Sequence, residues 1–200
     1  MGTKDFNILD AFIAHCRLGR ITQHIASGDR ILDFGCGHQA RLLTTLRERI
    51  KSGIGLDYDI EDSDPWPNIQ LRRSRFTGRL DLPNAQFDKI VMLAVLEHIP
   101  LDLVGPLFVE FSRVLKPDGR ILLTTPTPRG KPVLEFLAFK LRIISAPEIA
   151  DHKHYYTRND IESLAEKTGL AVETYRTFQL GMNCIASLRQ QPRTVSPIRS

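Results

Sequence analysis

Residues 30–40, Arg30-Ile31-Leu32-Asp33-Phe34-Gly35-Cys36-Gly37-His38-Gln39-Ala40, decide how the rest of the chain is read. A short apolar run closes on an acidic residue, and two glycines one position apart follow at once. Residues 40–50 then carry Leu42, Leu43, Leu46 and Ile50 at helical spacing. Strand, bend and helix is therefore the local order. The glycines stand where a backbone approaches a ligand so closely that a Cβ would obstruct it. Residues 53–58 read as the next strand, with Asp57 at its tip, where a carboxylate can accept both hydroxyl hydrogens of a ribose.

Outward from this unit the alternation of strand and helix continues. Residues 8–25 repeat Ile8, Leu9, Phe12, Ile13, Cys16, Ile21 and Ile25, which predicts a helical lead-in within residues 1–27. Residues 69–72 read as a brief third strand, and residues 89–94, apolar without alternation, as a fourth that is buried on both faces. Residues 101–115 have helical spacing, and Lys116-Pro117-Asp118-Gly119 reads as a turn before a fifth strand at 120–125. Beyond Pro126 and Pro128, residues 133–144 predict an apolar helix and residues 159–167 another that stops before Gly169. Residues 170–178 and 182–188 then read as a closing hairpin joined through Gly181. Strands separated by helices pair in parallel through right-handed crossovers. The expectation is one α/β domain over residues 1–189: a doubly wound, mostly parallel, seven-stranded sheet with helices on both faces and one antiparallel strand from the C-terminal hairpin. Residues 190–200 are polar and are expected to be a disordered tail.

With 200 residues, 42% apolar and 25% charged, the chain can build one sizeable core. No apolar run reaches the ~20 residues of a bilayer span. The first residues lack the basic, apolar and small-residue order of a secretion signal, so a cytoplasmic location is expected. Cys16, Cys36 and Cys184 are odd in number and widely spaced, which speaks against a disulfide framework and against structural zinc. His152 and His154 have the spacing of a chelating pair but no third ligand, and no metal is expected. The 27 Lys and Arg barely outnumber the 23 Asp and Glu. Arg72-Arg73-Ser74-Arg75 reads as a solvated loop, because a nucleic-acid footprint needs a broader basic face with stacking aromatics.

Four stretches together carry a family resemblance: Ile31-Leu32-Asp33-Phe34-Gly35-Cys36-Gly37; Gly53-Ile54-Gly55-Leu56-Asp57; Phe87-Asp88-Lys89-Ile90-Val91 with Leu96-Glu97-His98-Ile99 behind it; and Leu115-Lys116-Pro117-Asp118-Gly119-Arg120. They resemble the motifs of class I S-adenosylmethionine-dependent methyltransferases with their Rossmann-like fold, in particular the small-molecule branch of the ubiquinone and menaquinone biosynthesis enzymes (methyltransferase type 11). The resemblance covers about residues 28–188. It implies S-adenosylmethionine as cofactor, with Asp33, Gly35, Cys36 and Gly37 around its amino-acid end and Asp57 on its ribose. Tyr58 would flank the adenine, Leu93 would add a contact at the fourth strand tip, and Asp81, just before Leu82-Pro83, would meet the adenine amino group. Gln39 stands where many relatives have a third glycine, and Asp81 departs from the usual spacing.

The activity so implied is methyl transfer to a small-molecule acceptor by in-line displacement at the sulfonium methyl, where positioning does most of the work. His98, His152 and His154 are candidate general bases, since imidazole titrates near neutral pH. Tyr155, Tyr156 and Phe136 are candidate acceptor contacts. Residues 129–157 read as a lid or substrate wall, with weak contact to a membrane surface as a lesser reading. Two alternatives stand beside this one. Gly35, Gly37 and Ala40 also fit the dinucleotide pattern of an NAD(P)-binding oxidoreductase, with Asp57 about 20 residues beyond Gly37. A non-catalytic scaffold that binds S-adenosylmethionine would keep the fold without the transfer.

Overall fold

Successive side chains of a β-strand point to opposite faces of its sheet, so a strand apolar at every position feeds two cores. The central strands of this protein do so. The computed structural model describes residues 8–132 and 153–191, with side chains from residue 14 onward. In chain order the elements are α1 (Ile8–Thr22), β1 (Arg30–Phe34), α2 (Arg41–Leu46), β2 (Ser52–Asp57), β3 (Ser63–Trp66), β4 (Ile69–Arg73), β5 (Phe87–Leu93), a 3-10 turn (Leu96–His98), α3 (Leu101–Val114), β6 (Leu115–Pro126), α4 (Arg158–Lys167), β7 (Leu170–Phe178) and β8 (Asn183–Gln190). On one face Leu32, Ile90, Met92, Ile121 and Leu123 meet Leu107, Phe108 and Phe111 of α3 and Ile161 and Ala165 of α4. On the other, Ile31, Val91 and Leu122 meet Ile21 of α1 and Leu42, Leu43 and Leu46 of α2. Helices thus cover both faces, as expected. Phe34 and Phe111 pack edge to face, with centroids 5.4 Å apart. Full burial of a side chain such as Phe108 contributes about 1.5–3 kcal/mol.

The sheet runs in the order β3-β4-β2-β1-β5-β6-β8-β7. The five strands from β4 to β6 are parallel, which brings their carboxyl ends to one edge of the molecule. β8 lies antiparallel between β6 and β7 and completes the expected terminal hairpin. The expected count of seven strands is corrected to eight among the described residues. β3 adds a second antiparallel strand, paired to β4 at the free edge. Its Ser63-Asp64-Pro65-Trp66 sequence lacks any alternation, and an edge position is where a strand tolerates proline.

Lys116–Gly119 is not a free-standing turn either. The register passes from Phe87↔Leu115 to Lys89↔Arg120, so the tetrad bulges within β6. Lys116 Nζ pins it by donating to Asp88 Oδ1 at 2.6 Å, while Asp88 Oδ2 accepts the Arg30 N–H at 2.9 Å. The start of α4 carries a capping box: Thr157 Oγ1 accepts the Asp160 N–H at 3.2 Å, and Asp160 Oδ2 accepts the Thr157 N–H at 2.8 Å. That box fixes the direction of the residues just before it, Tyr155 and Tyr156. No helix among the described residues is long and apolar enough to cross a membrane. The apolar stretch 133–144, with Phe136, and also His152 and the tail from residue 192 lie outside the described residues.

Candidate functional site

The bend after β1 and the tip of β2 form one hydrogen-bonded unit at the carboxyl edge of the sheet. The N–H groups of Gly35 and Cys36 both donate to the Leu56 carbonyl, at 2.7 and 3.2 Å. The Gly37 N–H donates to Asp57 Oδ2 at 2.9 Å, and the Asp59 N–H to Asp57 Oδ1 at 3.1 Å. Asp57 is therefore held by backbone in a fixed orientation beside the glycines. Gly35 and Gly37 have φ of +78° and +65°, a region that glycine enters without strain. Their reasons differ. A Cβ on Gly35 would stand 2.3 Å from Val95 Cγ2, so its bareness admits Val95, two positions past the end of β5. Around Gly37 nothing lies within 4 Å of such a Cβ, which leaves open space beside its backbone.

Asp33 ends up 2% exposed beneath this bend. Burial first, and the charge of Asp57 second, push its pKa up to about 7. The Asp57 carboxylate thus lies close enough to oppose ionisation of the buried Asp33. Cys36 turns its side chain onto β2: a Cβ on Gly55 would lie 2.9 Å from Cys36 Sγ. Burial, then Asp33 and Asp57, drive its thiol pKa far up. This thiol is packing, not a nucleophile.

The other residues singled out in the sequence are less closely gathered. Tyr58 follows Asp57 directly and is 58% exposed. Leu93 ends β5 half-buried. Asp81 is exposed, and the hydrogen bonds that hold its loop run to α3: the Leu80 N–H donates to Glu110 Oε2 at 2.9 Å, and Arg113 donates to the carbonyls of Leu80 and Leu82. His98 closes the 3-10 turn, with its N–H on the Val95 carbonyl at 2.9 Å. His154 lies edge-on to Tyr156, centroids 4.7 Å apart, with its Nε2 3.8 Å from Asp160 Oδ2. Tyr155 sits under the Lys131 ammonium, 5.7 Å from the ring centroid.

A buried polar cluster, present in the sequence only as one residue of the Leu96–Ile99 motif, centres on Glu97. Its side chain is 1% exposed, and its Oε2 accepts Thr125 Oγ1–H at 3.0 Å over the tips of β5 and β6. Burial raises its pKa against the opposing charges of Arg17 and His98. The Lys153 N–H donates to the Glu97 carbonyl at 2.7 Å, which draws the segment before α4 across it. From that segment comes Tyr156, 5% exposed, whose hydroxyl finds no hydrogen-bond partner among the described residues. Burial, then the Glu97 charge, push its pKa up to about 12. Arg17 of α1 completes the cluster by donating to Asn183 Oδ1 at 2.9 Å. An acidic residue between Leu96 and Ile99, straight after a doubly buried strand, was the available signal.

A glycine bend and a strand-tip carboxylate on a doubly wound sheet define a nucleoside-binding α/β domain. The donor set fits S-adenosylmethionine well: oriented Asp57 suits ribose hydroxyls, buried Asp33 suits an ammonium, and the open space at Gly37 leaves room between them. Residues 11–175 match the family model described as a methyltransferase domain, and the chain belongs to that family. This sets aside the oxidoreductase alternative. The chain is 26% identical over 191 residues to the cyclopropane mycolic acid synthase MmaA2 of Mycobacterium tuberculosis, covering 88% of this chain and 66% of that one. Among solved structures it resembles the 1,6-didemethyltoxoflavin-N1-methyltransferase of Burkholderia thailandensis with bound S-adenosylhomocysteine (TM-score 0.67, 15% identity, 90% of this chain and 78% of that one). It also resembles a S-adenosylmethionine-dependent methyltransferase from Mesorhizobium loti (TM-score 0.66, 18% identity, 86% and 96%). These structural likenesses speak for the fold.

Proposed function

We propose that the chain transfers a methyl group from S-adenosylmethionine to a protic small-molecule acceptor, as a cytoplasmic enzyme. The observation that carries this reading is the Asp33–Asp57 pair around the open Gly37 backbone, within the family's domain. In this reading Asp57 holds the ribose, Asp33 the ammonium, and Tyr58 and Leu93 flank the adenine. Bound there, the cofactor supplies an electrophilic methyl group. The protein's part is to orient the acceptor in line with it, exclude water and receive a proton.

Glu97 suits the last task better than the histidines. Its carboxylate is buried over the strand tips, aligned by Thr125, and its affinity for protons is raised. His154 is already engaged by Asp160 and Tyr156. The acceptor's O–H or N–H donates to Glu97, and its oxygen or nitrogen accepts from the Tyr156 hydroxyl. As the acceptor is methylated, the Glu97 carboxylate would take up that proton, the electrophilic methyl group being what the bound cofactor would supply. Small phenols, alcohols and amines incubated with methyl-tritiated S-adenosylmethionine test this. Label is expected in at least one of them, falling about a hundredfold or more with Glu97→Gln. Label in none, with cofactor binding intact, contradicts the transferase reading. Full turnover by Glu97→Gln contradicts only the proton step.

A further inference from the structure

β7 and β8 turn through Gln179, Leu180 and Gly181, whose φ angles are +50°, +57° and +83°. Glycine, asparagine and aspartate suit such a backbone, and any other residue is strained there by about 1–2 kcal/mol. Leucine occupies its centre and is 97% exposed. A strained apex that holds an apolar side chain out into water has no rationale in the folded chain alone.

The surroundings say what would cover it. The Arg20 guanidinium of α1 lies 4.4 Å from the centroid of Phe178, the last residue of β7. Arg129 Cδ lies 3.8 Å from where a Cβ on Gly181 would stand. Arg176 is exposed on β7, two positions before Phe178 and so on the same strand face. Residues 126–132 are hooked onto the turn: the Thr127 N–H donates to the Met182 carbonyl at 2.9 Å and Thr127 Oγ1 to the Gly181 carbonyl at 2.6 Å. Lys131 is exposed on that same segment. Residues 14–22, 126–132 and 174–183 together contain Arg17, Arg20, Arg129, Lys131 and Arg176 and not one Asp or Glu. In a chain whose acids and bases nearly balance, these three described segments carry charge of one sign.

A protruding apolar residue within a cationic rim matches the layering of an anionic bilayer, with phosphates at the surface and acyl chains just beneath. We propose that the β7–β8 apex, with Leu180 at its tip and Arg20, Arg129 and Arg176 around it, docks on anionic phospholipid bilayers. β8 starts beside the end of β6, with Asn183 paired to Pro126. Docking there turns the carboxyl ends of the strands, where the glycine bend lies, towards the lipid. The proposal does not depend on methyl transfer.

Flotation of the purified chain with phosphatidylglycerol/phosphatidylcholine vesicles, against pure phosphatidylcholine vesicles, tests it. The chain is expected to float with the anionic vesicles only, and less so as salt is raised. Leu180→Ser is expected to cut partitioning about tenfold, the loss of inserted apolar area. Arg129→Glu is expected to cut it more than fivefold, because charge is reversed as well as lost. Titration with S-adenosylhomocysteine certifies that each variant is folded, since neither residue lies at the glycine bend. No flotation of wild type with anionic vesicles overturns the proposal. So does flotation that both variants retain in full, which would put the lipid contact elsewhere.

Discussion

Asp33→Asn separates what the buried carboxylate does for folding from what it does for binding. In the folded protein Asp33 is 2% exposed and holds its proton up to about pH 7, against 3.8 for an ordinary aspartate. The unfolded chain has the ordinary value, so between these limits the folded state binds more protons. Stability is then fully present below about pH 4 and is lost as pH rises through about 7. A shift of about three units at about 1.4 kcal/mol each sets the loss at about 4 kcal/mol. Asparagine carries no charge to bury. The variant should therefore match wild type at about pH 4 and exceed it by up to about 4 kcal/mol at about pH 8. Urea denaturation across that range, without cofactor, reads the difference. Binding runs the other way, because the cofactor's ammonium needs the ionised form. Wild-type affinity for S-adenosylhomocysteine should rise with pH up to about 7, and Asp33→Asn should be weaker by tenfold or more at about pH 8. A stability difference independent of pH, or one that favours wild type above pH 7, refutes the reasoning.

Gly35→Ala should cost about 2–4 kcal/mol, because its Cβ meets Val95 Cγ2 at 2.3 Å and its φ is positive. Adding Val95→Ala should recover about 1–2 kcal/mol of that in a double-mutant denaturation cycle, and strict additivity would rule out the contact. Arg113→Ala should cost about 2–4 kcal/mol, since the guanidinium holds the Leu80 and Leu82 carbonyls, Asn84 and Glu110. The hydrogen bond from Arg113 holds the Glu110 pKa below the ordinary 4.5. Glu110 thus adds stability that is present above that value and lost as pH falls through the folded one. Acid titration of the unfolding midpoint should be shallower in Arg113→Ala than in wild type. Phe108→Ala, which empties a fully buried site under α3, should cost about 3–5 kcal/mol by urea denaturation.

The glycine bend, Asp57 and the two-faced strands were legible in the sequence because each depends on neighbours in the chain or on spacing alone. What escaped depends on meetings across the fold. Val95 fills the hollow of Gly35, so the first glycine answers to a residue from another loop. Glu97 is one acid in a short motif until Thr125, Tyr156 and Arg17 arrive from β6, the segment before α4 and α1. β3 is a strand only because β4 offers it an edge, and its proline hides it from any pattern. Lys116–Gly119 has the composition of a turn, yet the bond from Lys116 to Asp88 draws it into the sheet.

Calorimetric titration of wild type and Asp57→Ala with S-adenosylhomocysteine addresses most directly whether the bend and the β2 carboxylate cradle one nucleoside. Saturable one-site binding to wild type is predicted, weaker by tenfold or more in the variant, whose ribose contact is gone. Equal affinity in the two proteins, or no heat in either, contradicts the account.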